Sequence, residues 1–253
     1  MSVKTEGQNP IDRLMERASR ALVDTSYFEA ERLAKDALAK AHAASDFERM
    51  ARIILPLQEA RRQKRQLAVD AGNAGAVMVF TDPRFLRDAA AQLPAGCYLL
   101  QPPLLGVDAR NLREEFTHRN IPALVLCREP LTKDLKWPVV SVGRVSLRTR
   151  IAPHIELARE EKSVSKDSYS GEPPPPISWF ESAAEAIGDA AILKIKPEDP
   201  AAWRVDDLMN YLDAHPDHEK LHQRLEENCR QAIAEDLPEN MRHRPVDDNP
   251  YSF

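Results

Sequence analysis

The sequence has 253 residues, of which 43% are hydrophobic and 30% charged, and it contains 20 prolines but only 8 glycines. This length and apolar content support one large or two modest domains with a hydrophobic core, and they exclude a wholly disordered chain. No segment approaches the roughly 18 consecutive apolar residues of a membrane-spanning helix, and the first ten residues lack the apolar run of a secretory signal, so we expect a cytoplasmic protein without membrane association.

The net charge of −5 is distributed unevenly along the chain. Residues 1–153 carry a net charge of +6, whereas residues 154–253 carry −11. This asymmetry predicts a basic body and an acidic C-terminal region that pack on each other or contact different partners. The three cysteines are odd in number and far apart, which argues against a disulfide framework and a cysteine zinc site. We expect them to be small buried side chains.

Apolar residues at helical spacing predict three helices within residues 1–72. The first covers residues 11–22 and the second residues 27–41, and the turns between them are short enough to require antiparallel packing. The third begins after Ser45-Asp46, a predicted N-cap, and Pro56 is expected to kink it.

Small and aromatic residues of the first two helices stand at offsets where paired helices approach closely. These residues, Ala18, Tyr27, Ala30, Ala37 and Leu38, form a pattern that resembles the tetratricopeptide repeat (TPR). We interpret residues 12–70 as TPR-like on this resemblance, which implies a helical surface with a groove for protein partners. A generic helical hairpin is the alternative, because no clear second copy follows roughly 34 residues later.

The pattern changes over residues 73–153 to short apolar runs that alternate with helices. Residues 72–75 are predicted to form a turn, and helices are predicted after Asp82-Pro83 and at Asp108. This alternation is typical of βαβ units, so we predict a small parallel sheet of Rossmann-like or flavodoxin-like type, covered on both faces. The predicted strands are residues 76–80, 97–100, 123–127 and 139–142.

The remainder of the chain is predicted to be all-α and acidic. Residues 154–176 form a charged, proline-rich linker whose four final prolines make a stiff spacer. Residues 177–237 are predicted as an acidic helical region, and residues 238–253 as a polar tail. The predicted fold class is therefore α/β combined with all-α regions.

Polar side chains follow the predicted strands at their carboxyl ends, which is the edge where open parallel sheets bind ligands. Nearby arginines, among them Arg110 and Arg113, add positive potential suited to a phosphate or carboxylate. Neither a dinucleotide fingerprint nor a P-loop is present. Structural helix caps and ion pairs are the alternative for these residues. The predicted ligand-binding residues are Asp82, Gln101, Arg128, Glu129 and Arg144.

The segment His218-Glu219-Lys220-Leu221-His222 matches the His-Glu-x-x-His pattern of zinc metalloproteases. Pro216 and Asp217 before it instead indicate the solvated first turn of a helix, where proline and acidic residues are favoured. We therefore regard His218 and His222 as weak metal candidates and assign neither a cofactor nor a catalytic residue.

The basic run at residues 61–65 is a further candidate, for contacts with nucleic-acid phosphates. It closes a helix, where cations favour the negative end of the dipole, and few aromatic residues interleave with it, so we do not expect nucleic-acid binding.

With no catalytic constellation identified, the sequence predicts a non-enzymatic protein-interaction or adaptor protein. The alternative is an α/β enzyme or sensor that binds a small anionic ligand at the strand ends.

Overall fold

The computed structural model describes residues 9–155 and 173–239. Within these residues eight α-helices surround a five-stranded mixed sheet, which confirms the predicted combination of an α/β unit with further helices. The helices are α1 (Pro10–Val23), α2 (Tyr27–Ala43), α3 (Phe47–Gly75), α4 (Pro83–Ala89), α5 (Gly106–His118), α6 (Ile177–Ile192), α7 (Ala201–Ala214) and α8 (Glu219–Ala234). The strands are β1 (Met78–Phe80), β2 (Gly96–Leu100), β3 (Ala123–Arg128), β4 (Trp137–Val142) and β5 (Ser146–Ile151).

Two of the predicted segments fall largely outside this description. Most of the predicted linker, residues 156–172, and most of the predicted tail, residues 240–253, lie outside the described residues. In the described part of the chain, no helix combines the length and the apolar composition needed to cross a membrane.

The third helix is longer than the sequence predicts. The predicted N-cap is confirmed, since an Asp46 side-chain oxygen accepts a hydrogen bond from the Arg49 amide at 3.0 Å. The helix then continues through Pro56 for 29 residues. The predicted turn at residues 72–75 is wrong, because these residues form the last turn of α3. Gly72 permits this close packing, since a Cβ there would lie only 2.8 Å from Ile177 Cδ1.

The sheet has the strand order β1-β2-β3-β4-β5. Strands β1, β2 and β3 are parallel, whereas β4 and β5 each run antiparallel to the preceding strand. The prediction of a parallel sheet is therefore wrong for its second half. Only residues 129–136 connect β3 to β4, and a parallel pairing needs a crossover of about a dozen residues or more. Strand β5 was not predicted, because its arginines at positions 148 and 150 mask the apolar alternation.

The two faces of the sheet pack against different helices, as the period of two in side-chain direction requires. One face joins α4 and α5 in a smaller core, to which the central strands contribute Tyr98, Leu100, Val125 and Cys127. The opposite face belongs to a larger core shared with α1–α3 and α6–α8, to which the same strands contribute Cys97, Leu99, Leu124 and Leu126. This larger core contains residues from all three predicted folded regions, 1–72, 73–153 and 177–237.

The acidic helical region packs on the basic part of the chain. Helix α8 lies against α3, and α6 lies against β4 and β5. Ion pairs cross the contact: Arg65 Nη1 lies 2.8 Å from Glu185 Oε1, and His42 Nε2 lies 2.6 Å from Asp206 Oδ1. Within the described residues, the two oppositely charged parts of the chain therefore contact each other.

The turn between β4 and β5 is held against the end of α7. Ser141 Oγ donates a hydrogen bond to the Ala214 carbonyl at 2.6 Å. Arg113 of α5 donates to the same carbonyl at 2.8 Å and to the Val142 carbonyl at 3.0 Å. Gly143 packs so closely that a Cβ would lie 2.5 Å from the Ala214 Cα. These contacts fix the sheet edge relative to α7.

We expect Gly143→Ala to lower the free energy of unfolding by about 1–3 kcal/mol, because the added methyl meets backbone atoms that cannot move aside as a side chain would. The matched control is Gly75→Ala, whose Cβ has no neighbouring atom within 4 Å. Since alanine is the better helix former, this control should be neutral or slightly stabilising. Urea unfolding of both variants measures the difference, and equal stabilities would contradict the close approach of the turn to α7.

Candidate anion-binding cleft

Asp82, one of the predicted ligand-binding residues, has a structural role. It is the N-cap of α4 and accepts a hydrogen bond from the Arg84 amide at 2.8 Å. This cap matches the structural alternative for Asp82. Gln101 follows β2 and is buried, and its backbone N–H donates to the Phe80 carbonyl at 2.9 Å.

Arg128 and Glu129, at the end of β3, also contact other protein groups. Arg128 is buried, and its guanidinium carbon lies 4.2 Å from the centre of the Trp137 ring. Such a cation–π contact stabilises the charge in an apolar setting. Glu129 forms an ion pair with Arg148 across the sheet. These two side chains stabilise the junction between the parallel and antiparallel halves of the sheet.

Arg144 lies at the opposite edge of the sheet from the other four residues. Because β4 runs antiparallel to β3, its carboxyl end lies beside the amino end of β3. The prediction that all five residues share one edge is therefore wrong. Arg144 is exposed in the β4–β5 turn, and its amide donates to Asp213 Oδ2 at 2.7 Å.

The two histidines of the His-Glu-x-x-His match have their ring nitrogens within 3.3 Å of protein groups. His218 is the N-cap of α8: its Nδ1 accepts from the Leu221 amide at 3.3 Å, and its Nε2 lies 3.3 Å from Glu185 Oε2. His222 Nδ1 lies 3.0 Å from the His218 carbonyl, and its Nε2 lies 3.1 Å from Arg61 Nη1. Since a guanidinium only donates, this Nε2 is the acceptor and the ring is neutral.

This arrangement leaves no lone pair of His222 for a metal. Within the residues described, no group of three or more His, Cys, Asp or Glu side chains is placed to hold a metal ion. The helix begins at Glu219, after Pro216 and Asp217, but His218 and His222 are each only 1% exposed, so the prediction of a solvated first turn is wrong. The motif therefore begins a helix and connects it to α3 and α6.

The three cysteines are free thiols buried in the protein, as the sequence predicts. Burial raises the pKa of each thiol, Cys97, Cys127 and Cys229, to about 12. A thiol with this pKa stays protonated near neutral pH and does not act as a nucleophile.

A cleft of about 330 Å³ lies at the sheet edge that carries Arg144. Residues of α2, α3, α5, α7, the β4–β5 turn and the α7–α8 connection line it. Its cationic side chains outnumber its acidic ones by seven to four. The cationic residues are Lys35, Arg61, Lys64, Arg65, Arg110, Arg113 and Arg144, and the acidic residues are Glu31, Glu114, Asp213 and Asp217.

Two of the cations at the cleft are paired with the buried carboxylate of Glu31, and this group of three side chains keeps one net positive charge. Glu31 Oε1 accepts from Arg61 Nε at 2.9 Å, and its Oε2 lies 2.5 Å from Lys64 Nζ. Burial opposes ionisation of Glu31, but Arg61 and Lys64 outweigh it and hold the pKa of that carboxyl well below its usual range. These residues form the floor that joins α2 to α3.

Three other cations of the cleft have no carboxylate in contact with them. Lys35 and the guanidinium of Arg144 make no hydrogen bond or ion pair with another residue of the described chain. Arg113 donates only to backbone carbonyls and the Ser141 hydroxyl. Desolvation by the cleft walls, with repulsion from Arg61, lowers the pKa of Lys35. The cleft thus holds positive charge without a matching counter-ion.

One acidic residue of the cleft is also without a partner. Asp217 lies in the connection between α7 and α8, and its carboxylate makes no hydrogen bond or ion pair within residues 9–155 and 173–239. Burial raises the pKa of Asp217, although Lys64 and Arg61 act in the opposite direction. A carboxyl group in this setting binds a proton more readily than one in water.

Sequence reasoning identified only part of this cleft. It proposed Arg110, Arg113 and Arg144 as sources of positive potential, but at the wrong sheet edge. It missed Lys35 of α2 and Asp217 of the α7–α8 connection, which lie far apart in the chain. No local pattern marks either residue, since their functional neighbourhood exists only after α2 and the α7–α8 connection have packed together.

The buried neutral histidines predict a loss of stability on mild acidification. Burial lowers the pKa of both His215 and His222 to about 3, whereas a histidine side chain in the unfolded protein has a pKa of about 6.5. The unfolded state therefore binds more protons between these values, and each histidine should reduce the free energy of unfolding by about 2 kcal/mol from pH 7 to pH 5. Urea unfolding at several pH values tests this, and His222→Gln should remove about half of the loss. A flat profile in this interval would contradict it.

Comparisons with protein-family models, with curated proteins and with solved structures found no match to this chain.

Proposed function

We propose that this protein binds a small anionic ligand in the cleft formed by α2, α3, α5 and the β4–β5 turn. The observation that carries the proposal is the uncompensated positive charge of Lys35, Arg113 and Arg144 around one cavity. Lys35 and Arg144 are exposed, and neither side chain forms an ion pair within the described residues, so an anion that entered the cleft would gain charged hydrogen bonds without displacing a carboxylate. The ligand class is that of the sequence-based alternative, a phosphate or carboxylate, but its site is a different edge of the sheet.

The size and geometry of the cleft fit such a ligand. Small-molecule sites typically occupy about 300–1,000 Å³, and the cavity has about 330 Å³. Arg144 offers an exposed guanidinium that can bind an oxyanion through two parallel hydrogen bonds, and Lys35 of α2 adds an exposed ammonium to the lining of the same cleft. Arg113, held by the carbonyls at the end of α7, adds positive potential without moving.

The adaptor function and the TPR-like interpretation of residues 12–70 remain predictions. Helices α1 and α2 form the expected hairpin, which is compatible with a repeat and equally with a generic helical pair. Both the volume of the cleft and its unpaired cations favour a small molecule over a protein segment. We therefore propose anion binding as the function of the cleft and keep protein interaction as the alternative.

Inorganic phosphate and a panel of phosphorylated metabolites should raise the melting temperature, and the free energy of unfolding should rise by about 2.7 kcal/mol at a ligand concentration 100 times the dissociation constant. Lys35→Ala and Arg144→Ala should each weaken binding by about tenfold, because each removes a charged hydrogen-bond donor. Isothermal titration calorimetry measures the affinities.

The matched control is Lys40→Ala, because Lys40 is an exposed residue of α2 outside the lining of the cleft. This variant should bind as the wild type does. Equal weakening in Lys40→Ala would show a general charge effect, and the absence of any saturable binding by the wild type would contradict the proposed function.

A further inference from the structure

The unpartnered carboxyl group of Asp217 faces the cleft in which the proposed function places an anion, and the inference below rests on that function. Asp217 borders the same cavity as Lys35, Arg113 and Arg144. It also borders two adjoining cavities, one next to His222 and one next to His218. Asp217 therefore lines the space that an anion would enter, and an ionised carboxylate there acts on the anion electrostatically.

Charged and titratable groups surround Asp217 from every packed element. Glu31 forms ion pairs with Arg61 and Lys64, and Glu185 forms one with Arg65. Both carboxylates are therefore already engaged by cations of the protein. The groups that share its cavities are Glu31 and Lys35 of α2, Arg61, Arg62, Lys64 and Arg65 of α3, Arg110, Arg113, Glu114 and His118 of α5, Arg144 of the β4–β5 turn, Glu181 and Glu185 of α6, Asp213 of α7, His215 and His218 of the connection, and Glu219 and His222 of α8.

An ionised carboxylate only accepts hydrogen bonds, and so does an oxyanion that carries no proton. If both occupy the cleft, two negatively charged acceptors face each other without a hydrogen between them. A single shared proton removes this conflict, because one oxygen then donates to the other in a short charge-assisted hydrogen bond. The proton can arrive on the ligand or on Asp217.

We propose that Asp217 makes the cleft selective for an oxyanion that brings its own proton, namely hydrogen phosphate or a phosphate monoester, over sulfate and over carboxylates. Hydrogen phosphate still carries a proton near neutral pH, whereas a phosphate monoester, whose second pKa is about 6, takes up a proton there at a modest cost. Sulfate and carboxylate ligands are fully ionised there and meet the Asp217 carboxylate as a repulsive acceptor. Selectivity by an unfavourable contact with the wrong ligand is a general route to discrimination.

The proposal predicts the direction in which the affinity for each anion changes with pH. Sulfate binds only with a protonated Asp217, so its affinity rises as the pH falls toward the pKa of that carboxyl group, which burial raises above its usual value. Phosphate carries the proton itself, so its affinity changes less over the same interval. The ratio of the phosphate affinity to the sulfate affinity therefore falls as the pH is lowered.

The test uses the full chain, inorganic phosphate and inorganic sulfate, with affinities measured by calorimetry at constant ionic strength near pH 7.5 and near pH 5.5. Near pH 7.5 the wild type should bind phosphate at least about tenfold more tightly than sulfate, since the shared proton is worth a charged hydrogen bond. In Asp217→Asn the preference should fall below about threefold, because the amide donates to either anion. Asp36→Asn is the matched control: Asp36 is an exposed α2 residue paired with Arg32, and this variant should keep the wild-type preference.

Equal affinities of the wild type for phosphate and sulfate near pH 7.5, or an unchanged preference in a folded Asp217→Asn protein, would overturn this inference and leave the proposed anion binding intact. If neither anion bound the wild type, the proposed function and this inference would both fail. Should Asp217→Asn not fold, the wild-type pH series decides: the inference fails if sulfate affinity does not rise relative to phosphate affinity as the pH is lowered.

Discussion

The buried ion pair between Glu31 and Arg61 connects the parts of the chain on which the cleft depends. It joins α2 to α3 at 2.9 Å, and the same arginine contacts His222 of α8 at 3.1 Å. The side chains of Glu31 and Arg61 are only 10% and 7% exposed, so loss of Glu31 would leave the Arg61 charge buried without a carboxylate partner, at a typical cost of about 3–5 kcal/mol. One short network therefore holds three helices in register and also forms the floor of the cleft.

The reversal of direction between β3 and β4 has the next largest consequence. It carries the β4–β5 turn, with Arg144, to the edge of the sheet where α5 and the end of α7 meet. Arg113 then binds carbonyls of both the turn and α7, which places a fixed positive charge behind the cleft. At the opposite edge, Arg128 stacks on Trp137 and Glu129 pairs with Arg148, so the carboxyl ends of β1–β3 are stabilised by internal contacts.

Several local features follow from the sequence because short-range chemistry decides them. The Asp46 cap, the apolar runs of β1 to β4 and the helix start before His222 depend on residues within a few positions of each other. The cap at Asp82 is local in the same sense, whereas the ion pair of Glu129 with Arg148 forms only when the sheet brings the two residues together. Strand β5 and the end of α3 could not be predicted in this way. The arginines of β5 obscure its apolar alternation. Gly72 suggests a turn in the sequence, and only the packing of Ile177 and Cys97 against it places it within a helix.

The sequence by itself determined the element types, the burial of the cysteines and the opposite charges of the two parts of the chain, since composition and periodicity carry that information. Only the tertiary structure decided the direction of β4, the contact between the acidic helices and the basic body, and the assembly of Lys35, Arg144 and Asp217 around one cavity. The physical reason is that burial and electrostatic neighbourhood arise from residues distant in the chain. Whether a cation lacks a counter-ion is a property of the packed molecule.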